Sequence, residues 1–229
     1  MMRLFEVFRL MEYAGVVICI VGMFAIMTMR SGMARVYTML AQMLALVGIV
    51  AYIFQLREMN LVPNYRWGLI VYATQCLVPF FALLAVSEYR ESTLEGWVKA
   101  VMLGLDVLAI IFYATNPRMH VLYLQSNFTT NGKFNYFQHL HSPFGWLFVM
   151  IIVLQLFAVC VNCMLLSGKR LVHYAGILPL AFLALSYMPI MQGFNTNQWS
   201  YIGSSLFLAI YLFYRAGIRK KEKVEAGKE

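Results

Sequence analysis

Charge is what this sequence has least of. Of its 229 residues only 12% are Asp, Glu, Lys or Arg, while 62% are hydrophobic. A soluble domain of this length needs far more charge to cover its surface, so an aqueous globular fold is excluded and a bilayer is the expected solvent. Acids are scarcer than bases, and the formal net charge is +8. That excess lies in connections between apolar runs and in the tail beyond residue 214, which excludes a nucleic-acid-binding face and suits the loops of a membrane protein. Cysteine is also sparse. Cys19, Cys76, Cys160 and Cys163 all sit inside apolar runs, so no framework of extracellular disulfides is available. Cys160-x-x-Cys163 has redox spacing, but within a lipid-embedded helix it reads as two small apolar residues. There is no Ser/His/Asp arrangement, no His-Glu-x-x-His, no phosphate-binding loop and no dinucleotide fingerprint. The last apolar run holds no lysine for a retinal Schiff base. Glu88-Tyr89-Arg90 has the ingredients of an animal seven-helix receptor switch in the wrong order, and no Asn-Pro-x-x-Tyr follows. No cleavable signal is expected, because the apolar run after Tyr13 is too long and no small-x-small site follows it.

What is present is apolar helix. Seven stretches are long enough to span, at 13–29, 36–56, 67–87, 97–115, 145–167, 171–190 and 200–214; a span takes about 20 residues at about 1.5 Å each. Connections are short except at 116–144. No internal repeat, low-complexity segment or soluble domain interrupts the pattern. With seven spans the two ends lie on opposite sides. Placing the C-terminus in the cytoplasm puts twelve Lys and Arg on that side against six on the other, which favours N-terminus out and C-terminus in. The margin comes from the tail. The expected division is therefore a seven-helix domain over 1–215, with an outer loop at 116–144, and a basic cytoplasmic tail over 216–229. That tail reads either as a membrane-surface anchor for anionic lipid or as a stalk that carries helix movement into the cytosol.

The outer loop is the one long polar excursion. Asn131-Gly132 is a strong hairpin signal because both turn positions favour positive φ. The flanking Val121-Leu122-Tyr123-Leu124 and Phe134-Asn135-Tyr136-Phe137 are suited to strands. A β-hairpin lying over the helix mouths as a lid is predicted. Asn127-Phe128-Thr129 matches a glycosylation sequon, which matters only in a eukaryotic secretory pathway.

Asp106 is the only acid well inside a span. Such a residue faces a cavity or a partner, since a mid-bilayer charge costs about 3 kcal/mol or more. Counted from the outer helix ends, Gln75, Asp106 and Gln155 all fall roughly 12–14 Å deep, so helices three, four and five can share one polar layer. Two readings stand: a protonated Asp106 hydrogen-bonded to Gln75 or Gln155, or an Asp106 lining a water- or ligand-filled pocket. No Lys or Arg lies at that depth, so a cationic or hydrogen-bond-donating ligand suits the acid and a carboxylate does not. His139-x-His141 on a strand places both rings on one face, but the loop lacks Cys, Asp and Glu to complete a zinc site. No metal and no cofactor is expected. His120 follows the end of helix four closely enough to bond its last carbonyls. Trp67, Trp97, Trp146 and Trp199 fall at predicted helix ends, as an aromatic belt requires. Pro79 and Pro179 are expected to kink helices three and six.

Thr115-Asn116-x-x-x-His120 closing span four, an aromatic-rich loop, and Phe144-Gly145-Trp146 opening span five together resemble the N-terminal seven-helix sensor region of bacterial histidine kinases. The same module precedes diguanylate cyclases. The resemblance covers nearly the whole chain and implies a receptor in the cytoplasmic membrane, not itself an enzyme. Its last helix would pass a signal to a cytoplasmic kinase or cyclase domain, in cis or in trans, and two chains would pair. No phosphoacceptor helix, ATP-binding lobe or GGDEF sequence follows in these 229 residues. The expectation is thus either the sensor part of a longer protein or a sensor acting on a separate partner.

The resulting prediction is an all-α, seven-transmembrane bundle that detects a small-molecule, peptide or lipid signal under the hairpin. Asp106, Asn116, His120, Tyr136, Phe144 and Trp146 form the expected contact shell. Asn116 and His120 fix the root of the lid, Phe144 and Trp146 supply an aromatic wall, and Asp106 is the polar floor. The alternative is a small transporter or channel, which would show a continuous polar path and matching interrupted helices in two halves; no such pairing is visible. A lipid-acting enzyme would need a second acid or base beside Asp106, and the sequence presents none.

Overall fold

Among the described residues the elements follow one another as α1 (Met2–Met27), α2 (Met33–Arg57), α3 (Leu61–Tyr89), α4 (Gly96–Met119), β1 (Tyr123–Thr130), β2 (Asn135–His141) and α5 (Pro143–Ser167). The structure is a computed structural model that describes residues 2–29, 32–89, 94–130, 135–167, 174–181 and 210–211. Helices α2, α3, α4 and α5 are each long and apolar enough to cross a membrane. The apolar part of α1, Tyr13–Met27, is shorter. Of the sixth predicted span, 174–181 is helical, and of the seventh only 210–211 is described. The chain is a mostly helical, multi-pass membrane protein carrying one small two-stranded sheet.

Short connections force neighbouring helices to run antiparallel. At the far end from the hairpin, the Met29 amide donates to the Ile26 carbonyl at 2.9 Å and closes α1. At the hairpin end, Glu58 leaves the helix in an extended conformation, and the Asn60 amide and side chain both donate to its carboxylate at 2.9 Å. The buried Asn64 Nδ2 donates to the carbonyls of Gln55 (2.7 Å) and Glu58 (3.0 Å), tying the start of α3 to the end of α2. Arg57 Nη2 donates to Tyr13 Oη at 2.8 Å, so α1 passes that end of α2. An ion pair of 3.8 Å between Lys99 and Glu88 joins α4 to α3 at the opposite end.

Helices in lipid gain nothing from hiding apolar surface from water, so close backbone approach and van der Waals contact hold them together. The most extensive contact is between α2 and α3. It is made possible at Gly48, where an added Cβ would fall 2.3 Å from Thr74 Oγ1. The main core joins Cys19 of α1, Ala45 and Ile49 of α2, Ala82 and Val86 of α3, and Leu156, Val159, Cys160 and Cys163 of α5. Ile210, from the seventh predicted span, is buried in that same cluster. All four cysteines are buried free thiols, as small apolar packing residues would be.

The hairpin forms, with β1 and β2 antiparallel, but its strands are longer than expected and β1 starts later. Val121 and Leu122 are drawn into the helix mouth by side-chain bonds and do not join the ladder. The last pair before the turn is Thr130 with Asn135, and the Asn131-Gly132 turn lies outside the described residues. A bulge between Tyr123 and Gln125 inserts one extra residue. Because strand side chains alternate, that insertion turns Tyr123 onto the face that carries Ser126 and the two histidines. β2 rests against α2, α3 and α5.

Candidate functional site

The site begins where α4 ends. The helix runs past the expected stop at Thr115 and through Pro117 to Met119. Pro117 has no amide hydrogen, so the carbonyl four residues earlier, that of Tyr113, loses its helical donor. The Tyr65 hydroxyl of α3 donates to that carbonyl and takes the place of the missing amide. Helix α4 then stops at His120, which adopts the left-handed conformation (φ 51°, ψ 32°) and donates its backbone amide to the Asn116 carbonyl at 2.9 Å. His120 is the only non-glycine residue with positive φ among the described residues.

Asn116 is 2% exposed. Its Oδ1 accepts the amides of Leu122 (2.8 Å) and Tyr123 (2.9 Å), and its Nδ2 donates to the Tyr123 carbonyl at 3.2 Å. One side chain thus binds both amides and one carbonyl where the chain enters the hairpin. On the return, Ser142 caps α5: its Oγ accepts the Gly145 amide at 2.9 Å and donates to the Val121 carbonyl, while its own amide donates to the Leu122 carbonyl at 2.8 Å. Pro143 follows at the first helical position, where its missing amide costs nothing. Gly145 lies against the same segment, since a Cβ there would fall 2.1 Å from the Leu122 carbonyl oxygen. The hairpin is therefore rooted in α4 and α5 through one short segment, 121–123.

Beneath the hairpin the space is filled by rings. His139 stacks on Tyr123 with centroids 4.0 Å apart, and His141 meets Tyr123 edge-on at 5.0 Å. Tyr123 meets Tyr113 edge-on at 5.7 Å, and Tyr113 stacks on Tyr65 (5.2 Å) and Tyr72 (4.6 Å). Ser126 Oγ and His139 Nδ1 share a hydrogen bond of 2.8 Å. Burial, helped by neighbouring His141, pushes His139 down to about 4, and burial also lowers His141. Burial raises the Tyr123 hydroxyl well above its usual range. At neutral pH both imidazoles are neutral.

Tyr72 continues the stack downward. It shares one buried cluster with Cys76, one turn along α3, and with Ala109 of α4. Asp106 is 1% exposed, ten residues or about 15 Å below Asn116 on α4. Gln155 of α5 donates from Nε2 to both carboxyl oxygens at 3.2 Å. Of the expected polar layer, the bonds between Asp106 and Gln155 join helices four and five. Gln155 Oε1 is buried with no partner among the described residues.

The six expected contact residues occupy three settings. Asp106 and Asn116 are buried, the first in the helix layer and the second in the hairpin root. His120 and Phe144 face outward, Phe144 with 63% of its surface exposed. Trp146, 48% exposed, leans on His141 at 4.9 Å. Tyr136 lies on β2 opposite Thr129, and its side chain is outside the described residues. Reading by motif missed Ser142, although Ser-Pro ahead of an apolar run is a helix-start signal. It also missed Tyr65, Tyr72 and Tyr113, which look like ordinary apolar helix positions until two helices, α3 and α4, bring them together. No group of three or more His, Cys, Asp or Glu able to hold a metal ion occurs among the described residues. The chain matches no protein-family model and no curated protein.

Proposed function

We propose that this chain is a seven-transmembrane sensor with its N-terminus outside, its C-terminus in the cytoplasm and the hairpin as an outer lid. It detects an extracellular or membrane-borne signal and relays it through the seventh span to a cytoplasmic histidine kinase or diguanylate cyclase effector. The observation that carries this reading is the ring column under the hairpin, His139, Tyr123, Tyr113 and Tyr72, whose buried cluster takes in Cys76 of α3 and Ala109 of α4, with the Asp106–Gln155 pair deeper on α4 and α5. A ligand or a proton that alters the packing of β2 changes the load on Tyr123 directly, and Tyr123 is bonded through its backbone to α4. The far end offers an output: Tyr211 packs with Tyr89 against Ile26 and Met29, so the seventh span touches α1 and α3 where they approach the other membrane face. To act, the signal must favour one helix arrangement over another by a few kcal/mol.

The test is a reporter kinase fused after Glu225, assayed in cells exposed to candidate signals and to outer-face acidification. Asp106→Asn and Trp146→Ala are expected to change the signal-dependent output while the protein still reaches the membrane. Unchanged output in both variants sinks the pocket assignment, and tracer flux in liposomes without any reporter response would move the protein to the transporter class.

A further inference from the structure

At the end of the bundle opposite the hairpin lies a groove of about 380 Å³ lined by Gly32, Arg35, Val36, Met39 and Leu40. It is separate from the column above and belongs to the first two turns of α2. That helix has 25 residues, about 38 Å against a hydrocarbon core of about 30 Å, so its first residues stand at the headgroup level. Val36, Met39 and Leu40 lie one turn deeper, and Val36 and Leu40 are open to lipid. The groove therefore has an apolar floor inside the hydrocarbon and a cation at its mouth.

The cation is poorly matched by the protein. Arg35 is partly buried, and among the described residues its one hydrogen bond is a long contact of 3.5 Å from Nη1 to the Met29 carbonyl. Four of its five guanidinium donors have no partner among the described residues. The first turn of α2 contains no acid, and its N-cap, Gly32, has no side chain to bond the free amides there. A guanidinium presents a planar fork matched to phosphate, and the amides at the start of a 25-residue helix add positive field in the same place. Arg35 lines the groove itself.

We infer that this groove is a binding site for an anionic phospholipid, whose phosphate meets Arg35 and whose acyl chain lies along Val36, Met39 and Leu40. An amphipathic ligand is required by the combination: a free anion leaves the apolar floor empty, and a zwitterionic headgroup offsets the phosphate with its own ammonium.

The experiment uses the full chain purified in detergent and returned to nanodiscs of equal parts phosphatidylglycerol and phosphatidylcholine, with retained lipid measured by native mass spectrometry. The expected result is selective retention of phosphatidylglycerol. Arg35→Ala is expected to lower that selectivity about five-fold, the order set by one basic residue against anionic lipid, and Arg35→Lys to restore part of it. Leu40→Trp, which fills the groove and keeps the charge, is expected to reduce retention of both lipids. Equal retention of the two lipids by the unaltered protein overturns the proposal. So does unchanged selectivity in Arg35→Ala, or displacement of phosphatidylglycerol by millimolar inorganic phosphate, which would make this a free-anion site. Circular dichroism and monodispersity of each variant separate loss of the site from loss of the fold.

Discussion

Asn116 uses its amide oxygen twice and its amide nitrogen once, all on the backbone of Leu122 and Tyr123. Replacing it by Ala strands two buried amides, each costing about 1–3 kcal/mol. Asn116→Ala is therefore expected to destabilise the hairpin root by about 2–4 kcal/mol, seen as faster proteolysis and amide exchange over 121–130. Asn116→Asp keeps both acceptors and is expected to cost less. His139 supplies a second prediction at this scale. Its folded value near 4 lies below the ordinary 6.5, so folding favours the neutral ring. The contribution is fully present above about pH 6.5 and is lost as pH falls from there towards about 4, by an amount on the order of 2–3 kcal/mol. The groups against that ring include Tyr123, Tyr113, His141 and Ser126, and none of these is an acid that would hold the protonated form. Exchange protection of the hairpin amides should drop over that window, and His139→Phe, which keeps a stacking ring, should flatten the dependence.

At the scale of the element, Pro117 and Tyr65 form a compensated pair. The proline removes one helical bond from α4, and a hydroxyl from α3 restores it at the Tyr113 carbonyl. Tyr65→Phe is expected to cost about 1–2 kcal/mol in the native background and far less beside Pro117→Ala, whose new amide bonds the same carbonyl. A thermal-melt double-mutant cycle reads the coupling, and additive effects would show that the hydroxyl is not a substitute donor. Helix α5 is set by Ser142 and Gly145 in the same way. Gly145→Ala is expected to push the 121–123 segment off the helix and expose Leu122, because a backbone carbonyl 2.1 Å away cannot rotate aside as a flexible side chain would. The motif residues at 115–120 and 144–146 were legible as a pattern before the structure, but their local duties were not. Asn116 and Gly145 hold the hairpin's root, whereas Phe144 projects outward.

For the molecule as a whole, the buried acid lies three residues beyond Ala109, where the ring column under the hairpin meets α4 at its deepest. Asp106→Ala leaves the buried Gln155 Nε2 without its partner, and it is expected to lower thermal stability in detergent by more than Asp106→Asn, which keeps a hydrogen-bonding pair. Gly48→Val, distant from that column, is expected to part α2 from α3 and lower stability without shifting the pH dependence of the hairpin, because its added carbons meet Thr74 and not the rings. Together these separate general bundle stability from the coupling on which the sensor reading depends.

Composition by itself determined the solvent, the helical class and the number of apolar runs, because a backbone in lipid has to satisfy its own hydrogen bonds and only long apolar helices do so within one segment. The Asn-Gly signal likewise announced the hairpin, and helical rise placed Asp106 level with Gln155. Those are local or one-dimensional properties. Only the tertiary structure decided that Gln155 meets the acid, which hydroxyl replaces the proline's amide, and that a single bulge turns Tyr123 towards the histidines. Each of these depends on the rotation of one element against another, and in a chain apolar on every side the sequence pattern carries almost no record of that rotation.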